Sequence, residues 1–147
     1  MNDIATCLWF DDQALEAARL YVSLIENSEI TRITNRPEGG VLLVEFTLGG
    51  VPYQALNGGD YFKLSEAVSI SVATPDQAET DRLWAALTAD GGEGSQCGWL
   101  RDRFGLSWQI VPRRAAELLA GPNAARAYEA LMGMGKIELA ALEEAAR

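Results

Sequence analysis

SQCGWLRDRFGLSWQIVP, Ser95 to Pro112, is the stretch whose reading decides the fold. It divides into two strands joined by the tight turn Asp102-Arg103-Phe104-Gly105, where the short Asp102 carboxylate can bond to backbone N–H groups. In the second strand Leu106, Trp108 and Ile110 point one way, and Ser107, Gln109 and Val111 the other. A strand of this kind packs one face on a core and turns the other to water or ligand. Gln109 is an uncharged amide in mid-strand between bulky neighbours, so it is either a satisfied core amide or a pocket residue.

The residues before this stretch supply the rest of a unit. Val68–Thr74 alternates Val68, Ile70 and Val72 with Ser69, Ser71 and Ala73, as a strand does. Thr74-Pro75-Asp76 then opens a helix whose Ala78, Leu83, Trp84 and Leu87 face inward, and Gly91-Gly92 ends it. A short strand near Glu93, a second over Gln96–Arg101 and a third over Leu106–Val111 complete the unit. The first half has the same order. A strand over Ile4–Phe10 leads to Asp11 or Asp12 as helix cap, with Leu15, Ala18, Tyr21, Val22 and Ile25 at helical spacing. Strands follow over Ile30–Thr34, Val41–Leu48 and Val51–Leu56, separated by glycine pairs.

The chain therefore reads βαβββ twice, with a period of about 65 residues. This implies either two similar sheets curving round a pocket or an α+β sandwich without one. We expect one domain over 1–147, with module one about 1–60, module two about 66–112 and a helical tail over 113–147. Gly133 and Gly135 divide the later part of the tail into two short helices. The tail is expected to cover a sheet edge or form a dimer contact.

Composition excludes several functions. The net charge is −9, with 21 acidic against 12 basic residues, which repels phosphate backbones and argues against nucleic acid binding. No apolar run is long enough to cross a bilayer, and the N-terminus lacks the pattern of a signal peptide, so a cytoplasmic location is expected. Cys7 and Cys97 read as buried thiols rather than a disulfide. Histidine is absent, which removes the usual imidazole base and the commonest transition-metal ligand.

Several runs carry a family pattern: LWFDDQALEAARLYVSL, FTLGGVPYQALNGG, FKLSEAVSISV, TDRLWAAL and QCGWLRDRFGLSWQIVP. Together they resemble the PhnB-like branch of the vicinal oxygen chelate superfamily, which includes the glyoxalase I and bleomycin-resistance folds. Members of this branch often carry the name 3-demethylubiquinone-9 3-methyltransferase. The resemblance implies an α+β fold of two βαβββ modules with curved mixed sheets, C-terminal helices and a homodimer. It also implies that enzymes of the superfamily place up to four metal ligands on the cavity face. Here those places fall on Gln109, on Ser69, at or near Gln54, and at about Thr6. Four neutral oxygens suit a hard cation weakly at best, so no metal and no cofactor is expected. A methyltransferase of the common kind has a glycine-rich turn after its first strand, where this chain has Asp11-Asp12-Gln13.

Among other residues, Trp84 and Trp108 are expected in the core, and Trp99 either in the core or lining the cavity. Asn57 is a turn residue or a pocket contact at the mouth of its strand. Glu45 shares a face with Thr47 and is either an exposed strand residue or the one carboxylate able to act as base. Two functions are carried forward. One is a small-molecule-binding protein with a metal-free cavity lined by Gln54, Ser69, Ser71 and Gln109; the other is an enzyme using Glu45 or a bound cofactor.

Overall fold

A computed structural model describes all 147 residues. The chain divides into two compact units, Met1–Leu64 and Ser65–Arg147. In the first, β1 (Thr6–Phe10), α1 (Ala14–Leu24), β2 (Glu29–Asn35), β3 (Val41–Leu48) and β4 (Val51–Asn57) form a mixed sheet in the order β1-β4-β3-β2. In the second, β5 (Ser69–Thr74), α2 (Gln77–Thr88), β6 (Glu93–Gly94), β7 (Trp99–Arg101) and β8 (Ser107–Pro112) repeat the pattern in the order β5-β8-β7-β6. Each unit pairs its first and last strands parallel and its other neighbours antiparallel. The tail forms α3 (Arg113–Leu119), α4 (Ala124–Met132) and α5 (Leu139–Ala145).

In the first unit, strand alternation puts Leu8, Phe10, Val44, Phe46, Leu48 and Ala55 in the core against α1. The buried stripe of the helix is Ala14, Ala17, Ala18 and Tyr21, narrower and more N-terminal than the expected Leu15–Ile25 set. Small alanines let the helix lie close on the sheet. Neither Asp11 nor Asp12 caps α1. The N-cap position is Gln13, without a side-chain cap, and the free N–H of Ala14 instead donates to Asn57 Oδ1 at 2.8 Å.

Asn57 thus serves a helix 43 positions away in sequence. Its Nδ2 donates to the Val41 carbonyl at 3.0 Å, and the residue is 5% exposed. The Asn57 carbonyl accepts a bond from Arg36. Asn57→Ala should lower stability by about 2 kcal/mol through loss of the cap and an orphaned carbonyl, measurable by denaturant unfolding.

In the second unit, α2 opens as expected: Asp76 Oδ1 accepts the Glu79 N–H at 2.9 Å. Thr80, Leu83 and Leu87 are its buried residues, whereas Ala78 is exposed and Trp84 half-buried. Thr80 was not legible as core because it is polar. It is buried because its hydroxyl donates to the Asp76 carbonyl at 2.9 Å and meets Thr74 Oγ1 at 2.6 Å.

The strand expected over Gln96–Arg101 begins only at Trp99. Cys97 and Gly98 have φ of 59° and 84°, and their N–H groups donate to the carbonyls of Met134 and Gly135, both at 2.8 Å. The tail therefore takes the N–H groups of this segment, while the Gly98 carbonyl still accepts the Ile110 N–H at 2.8 Å. A Cβ on Gly98 would lie 2.8 Å from the Ile110 carbonyl, so only glycine fits there. The tail has its own buried cluster of Ala115, Ala127, Leu131, Ile137 and Leu142, against which Cys97 and Val111 pack. Gln77 of α2 ties it down, with Nε2 donating to the Ile137 carbonyl and Oε1 accepting from the Leu139 N–H.

Candidate functional site

The side of each sheet opposite its helix carries the candidate residues. In the second unit the register sets Ser69 beside Ser107, Ser71 beside Gln109, and Trp99 on the other flank of Gln109. Gln109 Nε2 donates to Ser69 Oγ at 3.0 Å. This fixes the amide and leaves Gln109 Oε1 without a protein donor. Gln109 is half-buried and Ser71 exposed, so the amide is not sunk in a core. The alternating residues Trp108 and Ile110 are fully buried on the helix side.

What orients this strand is Asp102. Its Oδ1 accepts the N–H groups of Phe104 and Leu106 at 2.9 and 3.1 Å, and its Oδ2 accepts Trp108 Nε1–H at 2.9 Å. The expected turn cap is present, but the bond to Trp108 is one that turn chemistry alone does not reveal. By clamping Trp108 to the core, Asp102 sets the opposite orientation for Gln109 next to it.

In the first unit, Gln54 is flanked in register by Cys7 and Glu45. Thr6 pairs instead with Tyr53 and shares the helix-side direction of Leu8, so the first-strand residue beside Gln54 is Cys7, one position on. Asn57, offered as a pocket contact, is turned to the helix and fully engaged there. Cys7 is exposed rather than buried, and Cys97 is half-buried; both thiols are free. Desolvation pushes the Cys7 thiol above its ordinary value, so it stays protonated at neutral pH.

Glu45 is paired with Arg32 on the neighbouring strand. The hydrogen bond from that guanidinium is the main reason its carboxyl titrates below the usual range, partly offset by desolvation. A depressed value makes a weaker base, the reverse of what proton abstraction near neutral pH requires. Because the folded value is lowered, the pair stabilises above the ordinary glutamate range and is lost as pH falls through the lowered one. Arg32→Ala should therefore raise the Glu45 titration midpoint, measurable by side-chain carboxyl NMR.

Beside the Gln109 face lies a hollow of about 620 Å³, within the usual size range for small-molecule sites. Trp99 and Ser107 belong both to its lining and to the Gln109 face, which makes the two continuous. Cys97 also lines it, with Sγ 3.6 Å from the Leu131 carbonyl.

The donor groups do not suit a metal ion. No three Cys, Asp or Glu side chains gather anywhere in a way that could hold one. In the second unit the groups are Gln109 and Ser69, and in the first, taken by itself, Gln54 and either Thr6 or the protonated Cys7, none of them an anionic ligand. They do not fit a catalytic zinc or a tightly held hard cation. Adenosylmethionine fares no better. Gly39-Gly40 and Gly49-Gly50 have positive φ because they turn the β2–β3 and β3–β4 hairpins, and β1 passes into α1 without a glycine.

Two four-stranded mixed sheets, each built as βαβββ, define the glyoxalase/bleomycin resistance-like fold of the vicinal oxygen chelate superfamily. Residues 2–111 match the family model for 3-demethylubiquinone-9 3-methyltransferase, and the chain belongs to that family. Among solved structures it is similar to a Bacillus cereus PhnB protein that carries the same methyltransferase description. The two share 29% identity with a TM-score of 0.70, over 76% of this chain and 99% of that one. A Pseudomonas aeruginosa protein matches at 20% identity and TM-score 0.61, over 76% and 98% of the two chains. The fosfomycin resistance protein FosX of Listeria monocytogenes, crystallised with Mn(II) and 1S,2S-dihydroxypropylphosphonic acid, shares the fold. It is 14% identical, with a TM-score of 0.55 over 76% of this chain and 92% of that one. No curated protein matches the chain.

Proposed function

We propose that this protein binds a small organic molecule through neutral hydrogen-bonding groups at the positions where metal-dependent relatives of the fold place ligands. The observation that carries this reading is the Ser69–Gln109 pair, with Gln109 Oε1 unengaged beside Trp99 and a hollow of about 620 Å³. Ser71 supplies a further hydroxyl with no competing side-chain bond in the protein. An amide and two hydroxyls set orientation and specificity, while the indole of Trp99 offers apolar area. The methyltransferase description of the family is not carried over, because the adenosylmethionine cradle is missing and Glu45 is held by Arg32. A cytoplasmic homodimer acting on a free small molecule belongs to the same proposal.

The test is NMR screening of the 15N-labelled protein against neutral amides, alcohols and phenols. Binding fragments should shift the side-chain amide of Gln109 and the indole N–H of Trp99. Gln109→Leu should weaken them about fivefold, the value of one uncharged hydrogen bond. Fragments that leave both signals unmoved, or bind Gln109→Leu equally well, would refute it.

A further inference from the structure

The hollow in the second unit has a charge asymmetry that the neutral sheet face does not. Its lining includes Glu66 and Glu93 against a single cation, Arg101. Arg101 is already engaged, with Nη2 at 2.7 Å from Glu93 Oε1. Glu66 has no ionic or hydrogen-bonding partner for its carboxylate. The register places Glu93, Arg101 and Ser107 on one face of the sheet, the same face as Trp99 and Gln109.

Deeper in the hollow, Ser107 is only 1% exposed, and its hydroxyl has no partner in the protein. A hydroxyl that makes no side-chain hydrogen bond within the protein gains one when a ligand brings a donor. Here it lies at the wall of an open hollow, where an entering ligand can do so. Nearby, the half-buried Trp99 presents an indole, and aromatic rings attract cations as well as apolar groups.

We infer that the hollow takes a protonated organic amine. Its ammonium group meets the Glu66 carboxylate, its N–H groups donate to the Ser107 hydroxyl, and its apolar body lies on Trp99, with Glu93 held by Arg101 beside it. An organic anion is disfavoured twice, because Arg101 is neutralised by Glu93 and because the whole chain carries a net charge of −9. A neutral molecule of the same shape would satisfy Ser107 but gain nothing from the carboxylates. This assignment rests on the small-molecule reading above and adds the charge class of the ligand.

The experiment uses three probes of one shape: benzylamine, benzyl alcohol and benzoate, titrated at pH 7 and low ionic strength. Readouts are the Trp99 indole N–H shift and protection of Cys97 from alkylation in a Cys7→Ser background. Benzylamine should bind about tenfold more tightly than benzyl alcohol, and benzoate should not bind measurably. Glu66→Gln and Ser107→Ala should each weaken benzylamine about threefold, with the Glu66 change leaving benzyl alcohol unaffected. Arg101→Gln should strengthen benzylamine, since it releases the Glu93 carboxylate, whereas a merely structural role for this pair would leave affinity unchanged or lower it. Equal binding of benzylamine and benzyl alcohol would overturn the inference while leaving the small-molecule reading intact. Benzoate binding more tightly than benzylamine would overturn it as well. So would silence from all three probes in a protein whose Gln109 and Trp99 signals still respond to neutral fragments.

Discussion

Asp102→Ala should lower the stability of this protein by about 3 kcal/mol or more. The side chain is 2% exposed and accepts three hydrogen bonds, two of them, from Leu106 N–H and the Trp108 indole, buried away from water. Trp108 is fully buried, so its indole N–H would be left unpaired in the core. Each such orphan costs about 1–3 kcal/mol, and for a chain of this size the sum corresponds to a fall in Tm of about 10 °C. Asp102→Asn should recover part of the loss. The asparagine oxygen can still serve Phe104 and Leu106, but its NH2 group would face the Trp108 donor. Thermal and denaturant unfolding check both variants, and Gln109 signals should broaden in Asp102→Ala as the strand loses its anchor. Unchanged stability would mean that Asp102 is not the fastening the geometry indicates.

A second large effect is a gain. Ser69→His combined with Gln109→Glu should turn the neutral pair into a divalent metal site. The two side chains already meet, Ser69 Oγ lying 3.0 Å from Gln109 Nε2, so imidazole and carboxylate would be brought within reach of one ion. His and Glu are ordinary ligands for zinc and manganese, whereas Ser and Gln are poor ones. Calorimetry should show one ion per chain for the double variant, bound at least tenfold more tightly than by the unaltered protein. Either single change alone should give a much smaller gain, because one strong ligand does not hold an ion. If the double variant gained nothing, the match between these positions and the ligand places of the fold would be mistaken.

Much of the architecture was legible because it rests on local rules. The alternation in Val41–Leu48 gave β3 its bounds, and Asp76 marked the start of α2. The first strand of each unit started one or two residues later than expected, since terminal residues lacked a partner strand to pair with. What local rules missed was long-range polar pairing. Asn57 reads as a turn residue before two glycines, yet it caps a helix that precedes it by more than forty positions. The bend at Cys97-Gly98 depends on carbonyls of Met134 and Gly135, which no window of sequence brings together. At the site, Gln109 could be read as either core or pocket, and the face it takes follows from the register with Ser71 and Trp99, which no local rule supplies. For the first-strand place, expected at about Thr6, the residue beside Gln54 is Cys7, because parallel pairing, which decides the face, has no turn to pin it. A hollow walled by Glu66, Glu93 and Ser107 could not be foreseen, since a segment before β5, a two-residue strand and β8 contribute to it.

The central claim is that neutral groups stand where related folds use ions, and a manganese titration followed by electron paramagnetic resonance tests it most directly. With the unaltered protein, the signal of free Mn(II) should stay in proportion to the metal added, with no break at one ion per chain. A stoichiometric loss of that signal, abolished by Gln109→Ala, would contradict the account.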